Sequence, residues 1–269
     1  MTNILQVPPS YQIARDFKRI LLPRGIRCPR CSRRYNYKIG CQYICKKCRY
    51  KFTWVSLTFL KGTKLPLSLV WLLLYCWLKE LSLQDTEAIT RLSHVTIRRW
   101  YRRFQDFIPL AVTQKLSGRV EADEAFLGKE RYDNQQIVAG ARARGGAIAL
   151  RPIPNREYES LDPFLLDYID TTSQLFTDAW VGYEHVGNFF GYAHEICNHS
   201  RGHFGPTNGI ENVWMCLRRF IRKVYHHVWK EHLPRILKEF QARWNHPEAF
   251  NNVLSYLQFC SNPVPTQLD

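Results

Sequence analysis

Three acidic residues, far apart along the chain, each sit where a carboxylate could hold a metal ion. They are Asp123 in VEADEAFLG, Asp178 closing the apolar run of QLFTDAWVGY, and Glu211 opening NGIENVWMCLRRFIRK. Hard oxygen donors suit Mg²⁺ or Mn²⁺, and two such ions among converging carboxylates can drive in-line displacement at a phosphodiester. A second set of residues is built on sulfur. Cys28-Pro-Arg-Cys31 and Cys45-Lys-Lys-Cys48 are two CxxC pairs, and each spacing lets a tight turn present two thiolates to one tetrahedral Zn²⁺. The thirteen residues between the pairs, SRRYNYKIGCQYI, are Tyr-rich and hold one glycine, as a short hairpin would. RYKFTW follows the second pair as a further strand-like run. Two knuckles on hairpins make a zinc ribbon, expected over residues 25–62, with Cys28, Cys31, Cys45 and Cys48 as ligands of one structural Zn²⁺. The metal would supply folding energy that so small a segment cannot draw from a core. Cys41, four residues before Cys45, is read as a packing residue.

The acids need a scaffold that brings them together. Read as a strand, VEADEAFLG puts Glu121, Asp123 and Ala125 on one face and Val120, Ala122, Glu124 and Phe126 on the other. A buried strand carrying an acid requires a compensating partner, and a cation is the natural one. QQIVAGARA and GAIALRPI read as two more strands, YESLDPFLLDYI as a helix, SQLFTDAW as a fourth strand ending at Asp178, and YAHEICNH as a fifth. Strands, helix, then a strand ending in an acid is the order of an RNase H-like α/β sheet. Pro206-Thr207-Asn208-Gly209 is a turn that delivers Glu211 into the first turn of a helix, where the helix dipole favours an acid even without a metal. Trp214, Leu217 and Ile221 form the buried stripe of that helix, while Arg218 and Arg222 follow Glu211 along it and can reach toward a phosphate. Singly, each acid has an ordinary alternative role as a cap, a turn residue or a helix-start acid; their order and joint context favour the metal-holding reading.

The charge is unevenly placed. The 269-residue chain carries a formal +15, but residues 1–118 hold 22 Lys and Arg against 5 Asp and Glu, a net +17, and the remainder is close to neutral at −2. A basic segment of this strength suits DNA or RNA, so nucleic acid is the expected partner. A hydrophobic content of 45% is enough for a real core. The longest apolar run, Leu65 to Leu78, is too short to span a bilayer, and the N-terminus lacks the pattern of a signal peptide, so a cytoplasmic, nucleoid-associated protein is expected, or a nuclear one in a eukaryote. Nine cysteines without an export signal point to thiolate chemistry in a reducing compartment.

Between the cysteines and the acids, residues 63–108 read as helical. Pro66 suits a first helical turn, LSLVWLLLYCWLKE is apolar nearly all round and should be buried, Ser82 stands at an N-cap position, and a turn at Leu92-Ser93-His94 precedes VTIRRWYRRFQDF. In that last segment Ile97, Trp100 or Tyr101, and Phe104 mark an apolar stripe, and Arg98, Arg99, Arg102 and Arg103 occupy the rest. This is the layout of a helix-turn-helix whose last helix enters the major groove. The expected organisation is therefore a lead-in over 1–24, the ribbon over 25–62, the helix-turn-helix over 63–108, a linker over 109–118, and an acid-bearing α/β domain with C-terminal helices over 119–269.

Taken together, the ribbon, the basic trihelical region, VEADEAFLG, FTDAWVGY, CNHS and NGIENVW…YHHV…HLPRILKEFQARWN resemble the zinc-ribbon DDE transposases of bacterial insertion sequences, the group that includes Merlin-type elements. The resemblance runs over nearly the whole chain from about residue 25. It implies that Asp123, Asp178 and Glu211 are the catalytic triad and hold two Mg²⁺ (or Mn²⁺) ions per active site. It further implies cleavage at transposon ends and joining of the 3′-OH ends to target DNA. Terminal inverted repeats would be bound by the ribbon and the helix-turn-helix, with Arg98, Arg99, Arg102, Arg103 and Arg222 as DNA contacts and at least a dimer on DNA. The family usually carries Lys seven residues after the third acid; here that position is Arg218, which keeps the charge with a different geometry. His199, Tyr225, His226 and His227 also match the family. A nuclease that cuts without joining, and a domesticated zinc-ribbon DNA-binding protein, are the alternative readings.

Overall fold

The computed structural model describes residues 6–109, 114–128, 134–197 and 208–261. They form two compact units, one of residues 6–107 with 248–261 and one of residues 108–247.

The first unit opens with helix α1 (Ser10–Leu21), which buries Ile13, Phe17 and Ile20 along one face. Three short strands follow, β1 (Asn36–Ile39), β2 (Gln42–Cys45) and β3 (Lys51–Thr53), paired antiparallel in that order. Their core is small: Cys28, Tyr43, Cys45 and Phe52 are its buried residues, with the Tyr43 and Phe52 rings stacked at 5.8 Å. Helix α2 (Leu67–Leu78) starts directly after Pro66 and buries Val70, Leu73, Leu74, Cys76, Trp77 and Leu78, as its apolar composition requires. In α3 (Leu83–Thr90) the Ser82 hydroxyl caps the helix by accepting the Asp85 N–H at 3.1 Å, and it donates to the Asp85 carboxylate at 2.7 Å, which fixes the cap's rotamer. Arg91, in the left-handed region at φ 60°, ends α3. Ser93 then accepts the Thr96 N–H at the start of α4 (His94–Phe107).

The second unit is built on a mixed five-stranded sheet. Strands β4 (Arg119–Leu127), β5 (Gln136–Ala143) and β6 (Ile148–Ile153) form an antiparallel meander. Helix α5 (Tyr158–Tyr168) then leads to β7 (Gln174–Thr177), which pairs parallel to β4, and α6 (Glu184–Phe189) leads to β8 (Ala193–Ile196), parallel to β7. The sheet order is β6-β5-β4-β7-β8, the mixed sheet of an RNase H-like fold. The two faces are covered separately. Val120, Ala122 and Ala139 pack with Leu161, Phe164 and Leu165 of α5 on one side. Ala125, Val138 and Leu150 pack on the other with α7 (Asn208–Val224) and α8 (Leu233–Asn245). Edge strand β6 is closed by side chains of α8. Asn245 accepts the Ile148 N–H and donates to the Ile148 carbonyl, both at 2.9 Å, and Gln241 accepts the Leu150 N–H at 2.8 Å.

Gly140 on β5 is where the α7 face fits most tightly. A Cβ there would lie 2.3 Å from the Trp214 ring. Gly140→Ala should therefore cost about 1–3 kcal/mol of stability through overpacking, read as a shift in the urea midpoint at unchanged slope.

After α8 the chain returns to the first unit. The sequence reading places the C-terminal helices with the acid-bearing domain. In the structure residues 248–261 belong with the first unit, where α9 (Val253–Ser261) packs against α1 and α2. Tyr256, fully buried there, donates to the Phe104 carbonyl at 2.6 Å and meets the Trp77 ring edge-on.

Candidate active site and metal centre

The four paired cysteines converge. The Sγ atoms of Cys28 and Cys48 lie 3.5 Å apart, as do those of Cys31 and Cys45, close to the roughly 3.8 Å edge of a tetrahedron with Zn–S bonds of about 2.3 Å. Both knuckles are made the same way. Ser32 and Arg49, each just after the second cysteine of its pair, take left-handed backbone at φ 58° and donate N–H to the carbonyls of Cys28 and Cys45. The Cys48 N–H directed at Cys45 draws its thiol down to about 6, against the effect of burial. Cys31 is pushed up to about 11, the Arg33 N–H opposing the rise from burial and from the neighbouring thiols. Four thiols in mutual contact cannot all ionise without a cation, so this cluster fits Zn²⁺. Cys41 lies outside it and is exposed at the tip of the β1–β2 hairpin, not packed.

In the second unit the strand faces are those expected. The Asp123 carboxylate, half-buried on β4, accepts the Trp214 indole N–H of α7 at 2.9 Å. Asp178 follows β7 directly, and its side chain accepts the Trp180 N–H at 3.0 Å. The parallel register pairs Arg119 with Gln174, Val120 with Leu175 and Glu121 with Phe176; the same offset brings Asp178 level with Asp123. Burial holds the Asp123 carboxyl above the usual carboxylate range, and the negative charge of Asp178 adds to the rise. Two carboxylates coupled in this way form an oxygen-donor pair that fits a hard divalent cation.

Glu211 sits exposed in the first turn of α7. That helix is tied to β4 at two points: the Trp214 indole on Asp123, and the Ile210 N–H donated at 2.8 Å to the buried carboxylate of Glu121. A Cβ on Gly209 would lie 2.5 Å from the Glu121 carboxylate and 1.9 Å from Arg142, so only glycine lets the helix end seat there. Glu211 does not close a preformed three-carboxylate cage. Among the described residues, the four cysteines alone make a group of three or more His, Cys, Asp or Glu with ligand atoms all within 4.8 Å of one another. Arg218 and Arg222 are exposed farther along α7. His199 lies outside the described residues. His226 and His227 are exposed past the end of α7, and the Tyr225 hydroxyl donates to Glu239.

On α4 the four arginines are not equivalent. Arg98 and Arg99 are exposed, whereas Arg103 donates to the Lys61 carbonyl and lies over the Trp100 ring at 5.0 Å, and Arg102 is partly buried.

A further network adjoins Asp178, and the sequence reading missed it. Glu124, on the opposite face of β4 from Asp123, has a fully buried side chain. Its carboxylate accepts the Tyr183 hydroxyl and both the Nε and Nη2 of Arg156 at 2.8 Å. The Arg156 guanidinium lies 4.3 Å from the Trp180 ring centre, and the Trp180 indole N–H donates back to the Arg156 carbonyl at 3.0 Å. The one available signal was Glu124 itself, an acid on a strand face with no partner nearby in sequence.

Residues 115–245 match the family model described as the ISXO2-like transposase domain. No curated protein matches the chain. Among solved structures, a chain of the simian T-cell lymphotropic virus intasome in complex with PP2A regulatory subunit B56 gamma aligns at 12% identity over 74% of this chain and 76% of that one, with a TM-score of 0.33. No helix among the described residues is long and apolar enough to cross a membrane. Residues 115–245, which carry Asp123 on β4 and Asp178 just past the end of β7, are by their match to that model an ISXO2-like transposase domain of the DDE type, which implies a polynucleotidyl transferase that acts on DNA with divalent metal ions.

Proposed function

We propose that this chain is a transposase that binds the terminal inverted repeats of its element, cuts the DNA at their ends and joins the 3′-OH ends to target DNA. The observation that carries the reading is that Asp123 lies on β4 while Asp178 directly follows its parallel neighbour β7, at a level that continues their register, within the matched segment. Glu211 is the third carboxylate, delivered by a helix whose first turn is fastened to the strand that carries Asp123. Bound Mg²⁺ would supply charge stabilisation at the scissile phosphate and activation of the attacking oxygen. Asp123, Asp178 and Glu211 would hold it, and Arg218 and Arg222 lie along the helix of Glu211 for contact with DNA phosphates. Magnesium-dependent cleavage of end-containing duplex DNA, followed by covalent joining to a target duplex, is the expected outcome; cleavage without joining would favour the nuclease reading.

In the first unit α3, the turn and α4 serve as a helix-turn-helix, and the zinc ribbon binds beside it on DNA. Because Arg103 is engaged at Lys61 and Trp100, Arg98 and Arg99 are the leading contacts. Alanine at either should reduce the slope of log affinity against log salt by about 1, measured by fluorescence anisotropy on end DNA, with a smaller change at Arg103. Two ends must meet for joining, so the working species on DNA is at least a dimer.

A further inference from the structure

Arg156 poses a problem for a metal site at Asp178. A guanidinium within reach of a carboxylate competes with a divalent ion for it. Arg156 Nη2 stands 2.8 Å from Glu124 and 3.8 Å from Asp178, so its cation is seated on the buried carboxylate and only grazes the one at the metal site. The choice is enforced from several sides. Tyr183, itself buried, and the two guanidinium nitrogens all donate to Glu124, which marks it as an ionised acceptor. Trp180 packs on the guanidinium, binds the Arg156 carbonyl through its indole, and holds Asp178 through its backbone N–H. The Glu124 side chain is fully buried, while those of Arg156 and Asp178 are 24% and 37% exposed, so the strong pair is the sequestered one.

We propose that Glu124 is a positioning residue that retains Arg156 and so keeps the Asp178 carboxylate open to a divalent cation. It rests on the reading of Asp123 and Asp178 as metal ligands. With Glu124 neutralised, Arg156 turns to Asp178 and becomes the competitor of the metal ion. With Arg156 neutralised as well, the competitor is gone.

The test is Mn²⁺ binding to the full-length, zinc-loaded protein, followed by calorimetry and by the EPR signal of bound Mn²⁺, with Asp178→Asn defining the site. Glu124→Gln should weaken that binding about tenfold, Arg156→Gln should bind as wild type or more tightly, and the double variant should recover wild-type affinity. A structural role for Glu124 would give a loss that the double variant retains. Wild-type affinity in Glu124→Gln, or no recovery in the double variant, overturns the proposal alone. If wild type shows no Asp178-dependent Mn²⁺ site, the metal-ligand reading falls with it. Should Glu124→Gln fail to fold, Arg156→Gln still decides, because binding weakened several-fold there would mean that Arg156 supports the site.

Discussion

Asp123→Asn should abolish magnesium-dependent cleavage of end DNA, a loss on the order of 10³-fold or more, while leaving the metal-free protein at least as stable as wild type. The two effects have one cause. Burial and the neighbouring Asp178 charge hold the Asp123 carboxyl above its ordinary range, so in the absence of metal its ionised form opposes folding. Asparagine removes that charge, fills the same volume and still accepts the Trp214 indole N–H through its amide oxygen. The sign with pH follows. Because the folded-state pKa is raised, the stability linked to this carboxyl is fully present below its unfolded value and is lost as pH rises through the folded value. Urea titrations of wild type and variant without metal should therefore diverge, with the variant favoured, as pH rises from the ordinary carboxylate range toward neutrality. Glu124 is held up chiefly by burial and in part by the Asp123 charge, so removing that charge eases its ionisation and adds to the same divergence. Added Mg²⁺ should stabilise wild type and not the variant. A variant less stable than wild type at neutral pH would show that Asp123 is held by structure and not for metal.

Removing zinc should unfold the ribbon while the helices of the same unit persist. The three-stranded sheet encloses four buried residues, and two of them, Cys28 and Cys45, are thiols of the cluster itself. Once the metal is gone nothing ties those thiols together, and the remaining core of Tyr43 and Phe52 cannot offset the entropy of some thirty ordered residues at about 1–2 kcal/mol each for the backbone. Structural zinc contributes on the order of 10–16 kcal/mol in domains of this kind. The helices have their own core in Phe17, Leu73, Leu74, Trp77, Phe104 and Tyr256, all nearly inaccessible to solvent. Chelation should release one zinc per chain and bring the amides of β1–β3 to exchange rates near those of an unfolded chain, with α2, α4 and α9 still protected. Cys45→Ser should do the same without chelator, and Cys41→Ser should not. Full protection of β1–β3 in zinc-free protein would remove the structural role of the metal.

Much of this was legible in the sequence because it depends on local rules. The CxxC spacing dictates two knuckles whatever surrounds them, and the thiols do meet. The period of two in VEADEAFLG places Asp123 and Glu124 on opposite faces, and Trp214 and Arg156 reach them from opposite sides. The order of strands and helix between Val120 and Ile196 was likewise written in alternating apolar runs. The partners of these residues were not. Nothing in PNREYES marks Arg156 as the counter-ion of an acid 32 residues earlier, because that pairing exists only once the loop after β6 has come over the sheet. Four arginines on α4 look alike in sequence, and only the packed structure engages Arg103 with a carbonyl 42 residues away. The helix around Tyr256 was assigned by chain order to the acid-bearing half, whereas its apolar face found the aromatic core of the first unit. Sequence by itself determined which residues could do chemistry and which faces they occupy, because spacing and periodicity are properties of neighbouring residues. Tertiary structure alone decided which charges they meet and which of them are buried, because burial and electrostatic pairing act between residues that the chain brings together only on folding.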